Sequence, residues 1–110
     1  MTGTPTAAIF RLDRFRIPES ARAEFLHRVR ETHRLLRRQP GFVRDLLLES
    51  PLPGDYFTLV TMVEWQSAGA LESARAVVTA RHERDNFNPR TLMARLGIEA
   101  SLGSFTELDN

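Results

Sequence analysis

The sequence predicts an α+β domain in the order β-α-β-β-α-β, with one antiparallel sheet carrying both main helices on a single face. Three observations lead there. Residues 7–17 alternate between two faces as a strand does, and residues 56–66 are dense in β-branched and aromatic side chains. Between them, Phe25, Val29, Thr32 and Leu36 recur at helical spacing. Breakers at Pro40-Gly41 and at Pro51, Pro53 and Gly54 separate these runs.

The first strand, 7–17, places Ala8, Phe10 and Leu12 on one face and Ile9, Arg11, Asp13, Phe15 and Ile17 on the other. Pro18 ends pairing, and Glu19 and Ser20 offer acidic and capping groups to a helix over 21–38. On that helix Glu24, Arg28, Glu31 and Arg34 fall outside the apolar stripe, as a solvated surface does. An apolar run over 42–49 reads as the second strand, joined to the third, 56–66, by a Pro-Leu-Pro-Gly-Asp loop. Ser67 caps a second helix running to about Arg84. Asn88-Pro89 starts a short extra helix that Gly97 stops, and 100–108 supplies a last strand.

This order is the split β-α-β unit, a ferredoxin-like topology. It leaves the second sheet face uncovered. Val43, Leu47, Val60 and Met62 cannot all point at the helices, because neighbours on a strand alternate faces. Burial of that face against a second copy of the chain is the expected remedy, which makes the protein a homodimer.

Residues 1–110 fit one domain, and 42% hydrophobic with 26% charged residues is the composition of an ordinary globular protein. A net charge of +1 provides no field to attract nucleic acid or an acidic membrane. All 15 basic residues are Arg, which reads as codon bias. The chain has no cysteine, so disulfides, thiolate nucleophiles and Cys-type zinc sites are excluded and a reducing cytoplasm suits it. No segment approaches the roughly 20 apolar residues of a membrane span, and the first eight residues carry no secretory leader pattern. His27 and His33 lie about 240° apart on a helix, too far round to share a metal, and no other ligand cluster or Gly-rich phosphate loop is present.

The segment Gln39-Pro40-Gly41-Phe42-Val43, followed by Val60-Thr61-Met62-Val63-Glu64-Trp65-Gln66-Ser67, resembles the central signature of the antibiotic-biosynthesis-monooxygenase domain family. By element order the similarity covers about Phe10 to Leu108. The resemblance implies a dimeric α+β barrel, with two sheets face to face and the helices outside. It also implies a choice among activities: cofactor-independent oxygenases of aromatic or quinol substrates, haem-degrading enzymes, and members with no assigned reaction. The haem-degrading branch carries an Asn on the first strand, a Trp inside the second helix and a His near that helix's end. Asp13, Ala74 and about Arg84 stand at those positions here, so haem degradation is the less expected activity.

For the oxygenase branch, the resemblance implies a pocket between sheet and helices that holds a phenol or quinol. The substrate itself supplies electrons to O₂, the co-substrate, and no cofactor or metal is required. Asp13, His33, Leu59, Thr61, Val63 and Trp65 are the expected pocket residues. Trp65 shares a strand face with Leu59, Thr61 and Val63; the first expectation for it is a packed core residue, the second an aromatic platform for a flat ligand. His82 is the candidate general base, since His titrates near neutrality, although its setting in Arg81-His82-Glu83-Arg84-Asp85 reads first as a solvated helix surface. His33 reads as a half-buried structural His near the apolar stripe, and Asp13 with Arg11 as an ordinary edge pair. The competing function is a non-catalytic dimeric module that binds a small apolar or aromatic ligand or serves only as structure.

Overall fold

The computed structural model describes residues 7–109; Met1–Thr6, part of the stretch read above for a leader pattern, lie outside the described residues. The elements are β1 (Ile9–Pro18), a 3-10 turn (Glu19–Ala21), α1 (Arg22–Leu36), β2 (Phe42–Leu52), β3 (Tyr56–Trp65), α2 (Ala68–Arg84), α3 (Pro89–Leu96) and β4 (Glu99–Phe105). All strand pairs are antiparallel and the sheet order is β2-β3-β1-β4. This is the ferredoxin-like α+β arrangement expected from the sequence.

Beyond shifts of one or two residues at element ends, the structure departs from the sequence reading in three places. β2 continues past Glu49 to Leu52, so Pro51 lies in a strand. β2 is an edge strand, where a residue without an N–H is tolerated. The hairpin turn is therefore only Pro53-Gly54-Asp55, with Gly54 at φ 74° and Asp55 at φ 62°. Ser20 does not cap α1; instead the Glu19 N–H donates to the Asp55 carbonyl (2.8 Å), tying the helix entry to the hairpin turn. β4 ends at Phe105 rather than Leu108, whose side chain is exposed. The other caps follow the sequence: Ser67 Oγ accepts from the Ala70 N–H, and Asn88 Oδ1 from the N–H groups of Arg90 and Thr91.

The Pro-Gly-Phe turn and the Glu-Trp strand end form one physical unit. Gly41 has φ 86°, and a Cβ there would overlap the Ala70 Cβ at the start of α2. Its carbonyl accepts the Gln66 N–H (2.8 Å). Phe42 then meets Trp65 edge to face, with ring centroids 5.8 Å apart.

On the helix-bearing face the core falls into two clusters. Phe15, Ile17, Phe25, Phe57, Leu59, Leu92 and Ile98 form one, and Val63, Trp65, Leu71 and Ala74 the other. Asp13 pairs with Thr61 directly between them in the strand register, so a polar row divides the apolar face. The opposite face has no helix over it. There the register places Leu46 and Leu12 on either side of Met62, Leu48 beside Val60, and Phe10 beside Phe105. Leu46, Leu48 and Phe105 are 44%, 53% and 54% exposed.

Candidate functional site

Two adjoining cavities lie between the sheet and the helices, of about 210 and about 240 Å³. They share Asp13, Thr32, His33 and Thr61, the polar row just described. The first is otherwise mainly apolar, walled by Phe15, Phe25, Val29, Phe87, Leu92, Met93 and Leu102, with Arg28 and His82 at its edge. The second runs along Val63, Trp65, Leu71, Ala74 and Val78, with Arg11 and Arg75. An apolar cleft with a few convergent polar groups is the usual form of a small-molecule site.

Of the residues singled out from the sequence, Asp13, His33, Thr61, Val63, Trp65 and His82 line this cleft. Leu59 shares their strand face but is covered by the larger core cluster and lines neither cavity. Trp65 is 1% exposed, a core residue that also contributes to the wall of the second cavity. His27 is exposed and lies beside Glu31 (3.2 Å), away from the cleft.

His82 corrects its sequence reading. Its neighbours Arg81, Glu83 and Arg84 are exposed, but its own ring turns inward and meets Phe87 edge to face at 5.1 Å. Burial, and then the nearby Arg28 cation, push its pKa below the usual histidine value. Arg28 in turn lies over the Phe87 ring, 4.1 Å from its centroid.

His33 was expected to be half-buried and is in fact 5% exposed. Its Nδ1 lies 2.9 Å from Asp45 Oδ2, and the same oxygen accepts from Arg37 Nε at 3.0 Å. Burial alone would raise the Asp45 carboxyl, but the hydrogen bonds from His33 and Arg37 outweigh it and hold it below the ordinary carboxylate value. Asp13 goes the other way. Burial raises its carboxyl pKa in spite of the pair with Arg11 (Nε to Oδ1, 2.9 Å) and the Gly103 N–H.

Asp45 and Arg37 are the residues the sequence reading missed. The available signal was Arg44-Asp45 interrupting an otherwise apolar strand. Strand parity could not aim it, because a bulge between Phe42 and Arg44 shifts the register there. With the bulge, Phe42 opposes Trp65 and Asp45 opposes Val63, so both face the helices. Among the described residues no three His, Asp or Glu side chains come together as a metal site, and no helix is long and apolar enough to cross a membrane.

The family model described as antibiotic biosynthesis monooxygenase matches residues 8–81. Among solved structures, a variant of SnoaB, a cofactor-independent oxygenase from Streptomyces nogalater, is 25% identical over 96% of this chain and 97% of that chain, with a TM-score of 0.68. A dimeric ferredoxin-like protein from an uncultured marine organism is 10% identical over 94% and 98% of the two chains (TM-score 0.68). The haem degrader MhuD from Mycobacterium tuberculosis, solved with two haems in its active site, is 23% identical over 93% and 97% (TM-score 0.62). These last two likenesses concern the fold alone. No curated protein sequence matches the chain. With the family model spanning most of the sequence and the sheet, turn and strand-end signature in place, this chain belongs to the antibiotic biosynthesis monooxygenase family.

Proposed function

We propose that the protein is a cofactor-independent monooxygenase of a small hydroxylated aromatic, a phenol or quinol, acting in the cytoplasm as a homodimer. The observation that carries this is the cleft itself: two lobes of about 210 and about 240 Å³ with mainly apolar walls, joined by the polar row of Asp13, Thr32, His33 and Thr61. The likeness to a cofactor-independent oxygenase supports the oxygen chemistry.

In this reading the ring lies against Trp65 and the apolar walls, which exclude bulk water. Loss of the hydroxyl proton to an imidazole of the cleft, His82 or His33, makes the ring electron-rich. O₂ then forms a bond to a ring carbon, which it oxidises, and the imidazolium returns its proton to the peroxide oxygen to give a hydroperoxide. Loss of that carbon's own proton breaks the O–O bond, leaving a carbonyl and releasing water, so one oxygen atom enters the quinone and the other leaves as water. The test is oxygen uptake and quinone formation from hydroxylated naphthalenes and quinols, with and without added metal or flavin. Ligand binding with no oxygen uptake under any of these conditions would instead make the protein a binding module.

The open sheet face supports the dimer, since Leu46, Leu48 and Phe105 form an apolar surface that no helix covers. The interface is expected to bury more than about 1,000 Å² in total. Sedimentation at micromolar concentration should give a dimer, and Leu48→Glu should raise the dissociation constant at least ~100-fold by burying one charge per copy. A strictly monomeric wild type would refute the assignment.

Haem, if bound, is expected to survive. Asp13 and Ala74, which stand where the haem-degrading branch has Asn and Trp, both line the cleft. With haem and a reductant, the Soret band should persist; rapid bleaching with a characterised ring-opened product would contradict this.

A further inference from the structure

We infer that His33, held by Asp45 and Arg37, is the proton acceptor of the cleft, and that its ligand is a hydroxyaromatic bound as the oxyanion. This rests on the reading of the cleft as a hydroxyaromatic site and names the group that acts there.

Three observations set His33 apart from the other imidazole. First, it is nearly fully buried yet lines both cavities, at the row where the lobes meet. Second, both its position and its ring orientation are determined by hydrogen bonding. Nδ1 lies 2.9 Å from Asp45, and a neutral imidazole that donates from Nδ1 has its lone pair on Nε2. That nitrogen has no partner among the described residues, and no buried polar side-chain atom there is orphaned, so Nε2 is open to the cleft. Third, Arg37 donates to the same Asp45 oxygen, so the carboxylate that orients the ring is itself held in place. When a proton arrives on Nε2, the same carboxylate stabilises the resulting cation. His82 meets Phe87 edge to face, has no side-chain hydrogen bond among the described residues to orient its ring, and lies near Arg28, whose effect against a second positive charge Asp85 offsets only in part.

The β2 bulge is the device behind this arrangement. It adds one residue between Phe42 and Arg44 and so turns Asp45 toward α1 while keeping Phe42 against Trp65. The step itself is simple to balance: the ligand O–H bond breaks, an N–H bond forms at Nε2, and the electron pair stays on the ligand oxygen. Thr32 and Thr61 line both cavities beside His33, and their hydroxyls are available to hydrogen-bond that oxyanion.

The experiment uses the full chain under argon with 1-naphthol at pH 7, where the free ligand is protonated because a phenol ionises near pH 10. The wild-type protein should show the naphtholate absorption band. His33→Gln should bind naphthol within about threefold of wild type but lose the band at least ~10-fold, whereas His82→Gln should keep it. Nitrogen-15 NMR of His33 should report the Nδ1–H tautomer in the wild type and a mixture in Asp45→Asn, a readout that needs neither ligand nor turnover. A band that persists in His33→Gln, its absence from the naphthol-saturated wild type, or an Nε2–H tautomer for His33 would overturn the inference. A His33-dependent band with no oxygen uptake on admitting air would remove the monooxygenase reading and leave the proton acceptor standing. Full turnover by His33→Gln would do the reverse.

Discussion

Gly41→Ala should destabilise the protein by about 2–4 kcal/mol, the sum of left-handed backbone strain and an overpacked contact. Gly41 sits at φ 86°, where a side chain crowds the following carbonyl, and its new methyl would meet the Ala70 Cβ at the head of α2. Ala70 cannot move aside cheaply. Its N–H is held by Ser67 Oγ, and the Gly41 carbonyl is bonded to Gln66, so the turn and the helix start are fixed to each other. Gly54→Ala provides the control. At φ 74° it has similar backbone strain, but the nearest atom to its new methyl is Tyr56 Cδ1 at 3.9 Å, so the cost should be only about 1–2 kcal/mol. Urea unfolding of both variants separates strain from collision; equal losses would show that the Ala70 contact relaxes freely.

Trp65→Phe is expected to lower stability by about 1–3 kcal/mol, with a smaller loss in affinity for a flat aromatic ligand. The ring is buried, packs on Phe42, and belongs to the cluster with Val63, Leu71 and Ala74, so shrinking it opens a void that this corner cannot fill. Among the described residues no protein acceptor bonds the indole N–H, so the stability loss is one of volume. Because the same ring forms part of the wall of the second cavity, a ligand there loses one face of its contact surface. Urea midpoints and ligand titration on the same two proteins measure both effects. An unchanged midpoint together with unchanged affinity would exclude Trp65 from core and cleft alike.

The sequence by itself determined the order of elements, because strand alternation, helical spacing and Pro or Gly breakers are local properties of the chain. It also determined the two faces of β1 and β3. Ile9, Arg11, Asp13, Phe15 and Ile17 do share a face, as do Leu59, Thr61, Val63 and Trp65, since an unbroken strand alternates strictly. From that alternation the uncovered sheet face was already legible. Partial burial was not. His82 and its charged neighbours look alike in the sequence, and only the packing of Phe87 and Arg28 around it turned one of them into cleft wall.

What tertiary structure alone decided is the partner of His33. Asp45 lies 12 residues away, on another element, in a strand whose parity is broken by a bulge that no residue pattern announces. Local periodicity can say which side of a regular strand a carboxylate occupies. A single inserted residue reverses the answer for everything beyond it, and whether it is inserted depends on what the neighbouring strand and helix need to bury. Here Phe42 had to reach Trp65 and Asp45 had to reach His33, and both requirements are met only with the extra residue between Phe42 and Arg44.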